Sequence, residues 1–212
     1  HMSETGEAFA FIVRKNTFEP YTLQRHEVNE YPLSREEAIQ KVAAGLSAKD
    51  VIVSTTGMIS RELFEYRTAQ GQGHERDFLT VGSMGHASQI ALGIALEKTD
   101  RRVWCFDGDG AALMHLGSVA IIADKAPENF VHVIFNNGAH DSVGGQPTVG
   151  LKVNLAGIAK AAGYKDAVSV TTAEDLGSAL KVLKTMRGPV LLEVRVHRGN
   201  RKDLGRPTTT PI

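Results

Sequence analysis

The chain has 212 residues, 42% hydrophobic and 23% charged, the make-up of a folded globular protein rather than a disordered or membrane-embedded one. Twenty-four basic residues balance 24 acidic ones, so a sequence-blind attraction to nucleic acid or anionic lipid is not expected. A single cysteine, Cys105, excludes an internal disulfide and a cysteine-rich zinc site, and no apolar run approaches the roughly 20 residues of a membrane helix. His1-Met2 reads as a cloning remnant with no charged-then-apolar leader, so the expectation is a cytoplasmic α/β enzyme or part of one.

Short apolar runs alternate with longer amphipathic stretches, which predicts βα units and a parallel sheet with helices on both faces. Residues 8–13 read as a strand and 14–32, with two prolines, as a connector. Ser34 with Glu37 three residues on is a capping box, each side chain satisfying a backbone N–H of the other residue. The helix it opens sets Ile39, Val42, Ala43 and Leu46 on one face. A strand at 51–54, a helix at 57–67, a loop at 71–75, a strand at 78–81 and a small-residue helix at 85–96 follow. Next come a strand at 103–106, Gly108-Asp109-Gly110 and one apolar helix to about 123. Residues 130–135 predict a strand, and 136–150 a long glycine-rich loop. Helices at 154–162 and 173–187 and a strand at 190–196 complete the pattern, with Leu176, Ala179, Leu180 and Leu183 spaced for one helical face. The basic, proline-containing tail 198–212 is expected to be extended. There is no internal repeat or clear linker, so one domain is expected.

Two clusters of acid or amide side chains fall just beyond the carboxyl ends of predicted strands, the rim where open α/β sheets bind ligands. Asp109 follows one strand, and Asn136-Asn137 follows another that ends at Phe135. If those strands are neighbours, Asp109 and Asn137 converge. Both offer hard oxygen atoms of the kind Mg²⁺ takes in sets of about six. Such a partial set suits a metal shared with a diphosphate rather than an all-protein cage. The glycines let the backbone approach phosphates, and Gly110-Ala111 opens a helix whose N–H groups favour an anion. Alone, Asp109 also fits a helix N-cap and the asparagines a turn. No G-x-G-x-x-G run or G-K-[ST] is present, which excludes a dinucleotide-binding dehydrogenase and a P-loop nucleotidase.

Gly108-Asp109-Gly110 about thirty residues before Asn136-Asn137 resembles the cofactor motif of the thiamine-diphosphate-dependent decarboxylase family. The resemblance implies thiamine diphosphate and Mg²⁺ as cofactors, with Asp109, the Asn137 side chain and the Ala139 carbonyl as metal ligands. It also implies Gly108, Gly110 and Ala111 beside the diphosphate. Gly82-Ser83-Met84-Gly85 resembles the family's aminopyrimidine turn. That likeness implies that the Gly82 carbonyl accepts from the exocyclic amine, with Ser83 in the same turn and Met84 wedged beneath the cofactor; a plain core role for Met84 stays open. Within the family, residues 10–21, 82–88, 136–148 and 201–208 are similar to the carboxyl-terminal half of the phosphonopyruvate decarboxylases. The sulfopyruvate decarboxylases, with split subunits, are similar in architecture.

The family binds its cofactor between a pyrimidine-binding domain, which supplies an activating glutamate, and a pyrophosphate-binding domain. This chain resembles the second: 1–32 as residual strand and connector of the other domain, 33–197 as the pyrophosphate- and Mg-binding domain, 198–212 as tail. The resemblance implies inactivity alone, a pyrimidine-domain partner in a hetero-oligomer such as α2β2, and an apolar contact surface. The implied reaction takes a 2-oxo acid, 3-phosphonopyruvate foremost, to an aldehyde and CO₂ in phosphonate biosynthesis; a non-catalytic cofactor-binding regulator is the rival. His86 and His140, in the two cofactor-facing loops, are candidate proton relays or plain loop polar groups. Arg198, Arg201, Lys202 and Arg206 are candidate phosphonate contacts or a solvated, partner-docking end. Ser142 and Gln146 are candidates for the substrate mouth, and Cys105 reads as an inert small hydrophobe.

Overall fold

A computed structural model of the chain describes residues 1–19 and 31–208. In order these form α1 (Met2–Thr5), α2 (Arg35–Ala44), β1 (Val51–Ser54), α3 (Met58–Ala69), β2 (Asp77–Leu79), α4 (Ala87–Glu97), β3 (Val103–Gly108), α5 (Asp109–Met114) and α6 (Ser118–Lys125). There follow β4 (Phe130–Asn136), β5 (Ala139–His140), β6 (Gln146–Pro147), α7 (Leu155–Ala162), β7 (Asp166–Val170), α8 (Ala173–Leu183) and β8 (Val190–Arg195). Six strands make one parallel sheet in the order β2-β1-β3-β4-β8-β7. The expected α/β architecture is the one formed.

Side chains alternate across each strand, so one strand feeds two cores. From β3, Trp104 and Phe106 pack with Ile39 of α2, Leu63 of α3 and Leu176 of α8. Val103 and Cys105 point the other way, towards Ala91 of α4, Ile122 of α6 and Leu155 of α7. Burial on both faces explains why β3, β4 and β8 are near-continuous apolar runs. The capping box forms as read: Ser34 Oγ accepts from the Glu37 N–H at 3.1 Å, and Glu37 Oε2 accepts from the Ser34 N–H at 3.0 Å. The chain moves outward to β2 after β1 but towards β4 after β3, so the direction of winding reverses between β1 and β3. At such a reversal the loops part and leave a crevice at the carboxyl ends.

Several elements differ from the expectation. Residues 8–13 form no strand, and Phe11 and Ile12 are 86% and 97% exposed. A strand needs a paired neighbour, and this segment has none among the described residues. The single helix expected after Asp109 is two, α5 and α6, separated by a turn at 115–117. Gly117, a poor helix former, caps the second. The strand expected at 78–81 is Asp77–Leu79, leaving Val81 outside it. The 136–150 loop holds a small hairpin, β5–β6, with Ala139 opposite Pro147. β7 was not expected at all: it is an edge strand whose polar Asp166 and Ser169 hide the apolar period. The last helix stops at Leu183 rather than 187. Residues 20–30 of the connector and 209–212 of the tail lie outside the described residues. Among those described, no helix is long and apolar enough to cross a membrane.

Candidate functional site

β3 and β4 are neighbours with Gly108 opposite Phe135, so the residues just beyond them share one end of the sheet. There a cleft of about 50 Å³ is bordered by Asp109, Asn137, Ala139, Gly108, Gly110 and Ala111. Asp109 is 1% exposed, and among the described residues no Lys or Arg pairs with it. Burial pushes its carboxyl group up, against hydrogen bonds from the Thr148 hydroxyl, which is short, and from the Asn137 backbone N–H. A buried carboxylate without a cation is costly, and a bound cation removes that cost. The donors around the cleft are a carboxylate, an amide and a peptide carbonyl, hard oxygens that fit a divalent cation shared with a diphosphate. Open backbone at Gly108, where an added Cβ would meet only Ile59 at 3.5 Å, adds room for such an anion.

A chain of buried ionic contacts orients the amide of Asn137. Its Nδ2 donates to Asp141 Oδ2 at 2.7 Å, and its Oδ1 accepts from the Ala139 N–H at 3.0 Å. Asp141 also accepts from Arg35 Nη1 at 2.8 Å, and Arg35 makes a bidentate pair with Glu62, both contacts 2.8 Å. Burial pushes the Glu62 carboxyl up, while Arg35 opposes that shift. Because Asp141 takes the NH₂ end, the amide oxygen is directed away from it. Asn136 serves differently: it donates to the Gly150 carbonyl at 2.9 Å and to Glu193 at 2.6 Å and accepts from the Gly138 N–H, tying the loop shut. Gly150 and Gly110 permit the closure. A Cβ on the first would lie 2.5 Å from Asp109 Oδ2, and on the second 2.4 Å from the His140 ring.

The remaining candidates are divided. Met84 and His140 border the cleft with the metal-type donors. Gly82 and Ser83 are exposed beside it, in a turn with positive φ at Gly82, Ser83 and Gly85. His86 is not among the cleft-lining residues; it is exposed, its Nδ1 3.1 Å from the Ser83 carbonyl and its ring 4.3 Å from that of His115. In the tail, Arg201 pairs with Glu36, Glu65 and Asp203, and Arg198 donates to the Gly138 carbonyl at 3.0 Å. Arg206 borders a second cavity, together with Ser142, which faces both; Gln146 is exposed outside them. Cys105 is fully buried and its thiol pushed well up by burial, which suits the inert role read for it. Arg35, Glu62, Asp141 and Thr148 were not legible as site residues. Arg35 and Asp141 lie 106 positions apart, and only the fold brings them together.

The family described as thiamine pyrophosphate enzyme, C-terminal TPP binding domain, matches residues 55–194. The chain is 40% identical over 178 residues to phosphonopyruvate decarboxylase of Streptomyces viridochromogenes, an overlap of 84% of this chain and 43% of that one. It is 39% identical over 152 residues to the sulfopyruvate decarboxylase subunit beta of Methanocaldococcus jannaschii, covering 71% and 77% respectively. The chain therefore spans less than half the length of the first relative and most of the second. The benzoylformate decarboxylase of Polynucleobacter necessarius has a similar fold, with a TM-score of 0.68 at 17% identity over 86% of this chain and 36% of that one. A match that runs from just after β1 into the last strand takes in every cleft-lining residue but Arg35, and the chain belongs to the thiamine pyrophosphate enzymes as a C-terminal TPP-binding domain.

Proposed function

We propose that this chain is the pyrophosphate-binding half of a thiamine-diphosphate- and Mg²⁺-dependent decarboxylase, acting on 3-phosphonopyruvate to release phosphonoacetaldehyde and CO₂. A pyrimidine-binding partner completes it, as a cytoplasmic hetero-oligomer such as α2β2. One observation carries the reading: a buried carboxylate with no Lys or Arg partner among the described residues, Asp109, borders one cleft with the Asn137 amide and the Ala139 peptide. In this reading Asp109, Asn137 Oδ1 and the Ala139 carbonyl hold Mg²⁺. Gly108, Gly110 and Ala111 present backbone to the diphosphate, and Gly82, Ser83 and Met84 meet the aminopyrimidine. When bound, thiamine diphosphate supplies the electron sink for loss of the carboxyl group. Thr148 would steady the Asp109 carboxylate, and Arg35, by holding Asp141 on the Asn137 NH₂, would leave the Asn137 oxygen available to the metal. Packing against Gly110 at the cleft supports His140 as the group that would hold a proton for the product; His86 does not line the cleft.

Similarity to a separate beta subunit over 77% of its length favours a second reading, in which sulfopyruvate is the substrate. Calorimetry tests the site: thiamine diphosphate should bind only with Mg²⁺, and Asp109→Ala should abolish that binding. Unchanged affinity in the variant would sink the assignment. With a pyrimidine-domain partner added, CO₂ release from phosphonopyruvate, sulfopyruvate and pyruvate decides the substrate. Cofactor binding with no turnover of any of the three points instead to a regulator.

A further inference from the structure

A cavity of about 700 Å³ opens beside the cofactor cleft and shares Thr56, Met84 and Ser142 with it. That volume is ample for a small substrate. Its walls are of two kinds. Phe64, Leu79 and Val81 are apolar, whereas Arg61 and Arg206 bring two guanidinium groups to the same space. The carboxylates of α3 and β2 do not neutralise them, because each is engaged elsewhere. Asp77 accepts from Arg67 through both oxygens, at 2.9 and 3.1 Å. Glu62 holds Arg35, and Glu65 accepts from Arg201 and from the Gly205 N–H at 2.6 Å. Arg61 and Arg206 make no side-chain hydrogen bond or ion pair among the described residues. The tail is seated on the helix that carries Arg61, since Glu65 one turn further on fixes Arg201 and Gly205. Arg206, though exposed, is thereby held at the rim of the cavity.

We propose that Arg61 and Arg206 bind the tetrahedral oxyanion on C3 of the 2-oxo acid, so that this cavity selects the substrate while the smaller cleft holds the cofactor. The proposal rests on the decarboxylase reading above and names its specificity-determining residues. A guanidinium presents parallel N–H donors that match two oxygens of a phosphonate or sulfonate. Buried Phe64 beside Arg61 lowers the local polarity on that side and strengthens the attraction. Of the tail arginines, Arg198 and Arg201 are spent on loop carbonyls and carboxylates, which leaves Arg206 for this task.

The test uses the full chain saturated with Mg²⁺ and thiamine diphosphate, titrated with phosphonoacetate, sulfoacetate and malonate, three probes differing only in one head group. Phosphonoacetate or sulfoacetate should bind at least about tenfold more tightly than malonate, and the tighter of the two names the natural head group. Arg61→Gln and Arg206→Gln should each weaken that probe by about tenfold, the size of one lost charge-assisted contact, while cofactor affinity stays the same. Should Arg61→Gln fail to fold by circular dichroism, Arg206→Gln in the exposed tail carries the decision. Malonate binding as tightly, no measurable binding of any probe, or affinity indifferent to both substitutions overturns the proposal. Loss of cofactor binding by the unaltered chain, with the head-group preference and its arginine dependence intact, would instead count against the decarboxylase reading.

Discussion

Asp109 and Arg35 solve the same residue-scale problem, a charge taken out of water, in opposite ways. Arg35 is compensated within the chain by Glu62 and Asp141. Asp109 has hydroxyl and peptide donors and the nearby His140 ring, but no Lys or Arg partner among the described residues. Arg35→Gln should therefore leave two buried carboxylates unpaired and cost about 3–5 kcal/mol in chemical unfolding. It should also weaken Mg²⁺ binding roughly 10- to 100-fold, as loss of an outer-shell support does. Full stability in that variant would show that the ion-pair chain is dispensable. Gly110→Ala tests the close approach of His140, since the new methyl would sit 2.4 Å from the ring. A cost of about 1–3 kcal/mol is expected by thermal unfolding, and His140→Ala in the same chain should recover most of it. Asp109 and Asn137 could be proposed from the sequence because metal chemistry restricts residue type at strand ends, and the structure brings both to one cleft. Arg35, Glu62 and Thr148 could not, because any charged or hydroxyl residue looks alike until its partner is known.

At the scale of elements, the capped helices were the most readable. The Ser34–Glu37 box is local, and its geometry follows from a spacing of three. Hydrogen bonds from the Ser34 backbone N–H and hydroxyl hold the Glu37 carboxyl below its usual range. A depressed carboxylate stabilises the fold above the unfolded pKa of about 4.3, and that contribution is lost as pH falls through the folded value. Ser34→Ala should cost about 1 kcal/mol at pH 7 by urea unfolding, and its gap from the parent should narrow in acid below about pH 4. A gap that stays constant down to pH 3 would mean that Glu37 takes no part. The elements misread have tertiary causes. β7 is held in register by β8, with Asp166 opposite Val190, rather than by an apolar pattern of its own. The turn between α5 and α6 puts His115 where only a glycine at position 85 leaves space: a Cβ there would lie 2.5 Å from the ring.

On the scale of the whole molecule, the sheet carries two packed faces, yet apolar side chains remain outside. Phe9, Phe11, Ile12 and Val13 are all exposed, and no residue of 1–19 is buried. Deleting 1–19 should therefore change the stability of this chain by less than about 0.5 kcal/mol in urea. A loss of several kcal/mol would show that the segment packs on the domain. The same exposure accords with the proposed partner, whose addition should protect these residues from proteolysis as turnover appears.

From the sequence alone came what is local or periodic: alternating βα units, caps, apolar strand runs, and a Gly108-Asp109-Gly110 and Asn136-Asn137 spacing that resembles a cofactor motif. Only the tertiary structure decided which strands adjoin, that Asp109 is buried with no Lys or Arg partner among the described residues, and that the tail returns to α3 so that Arg206 and Arg61 border one cavity. The physical reason is range. Hydrogen-bond spacing and side-chain period act within a few residues, whereas desolvation and charge pairing depend on neighbours that chain closure brings from a hundred positions away.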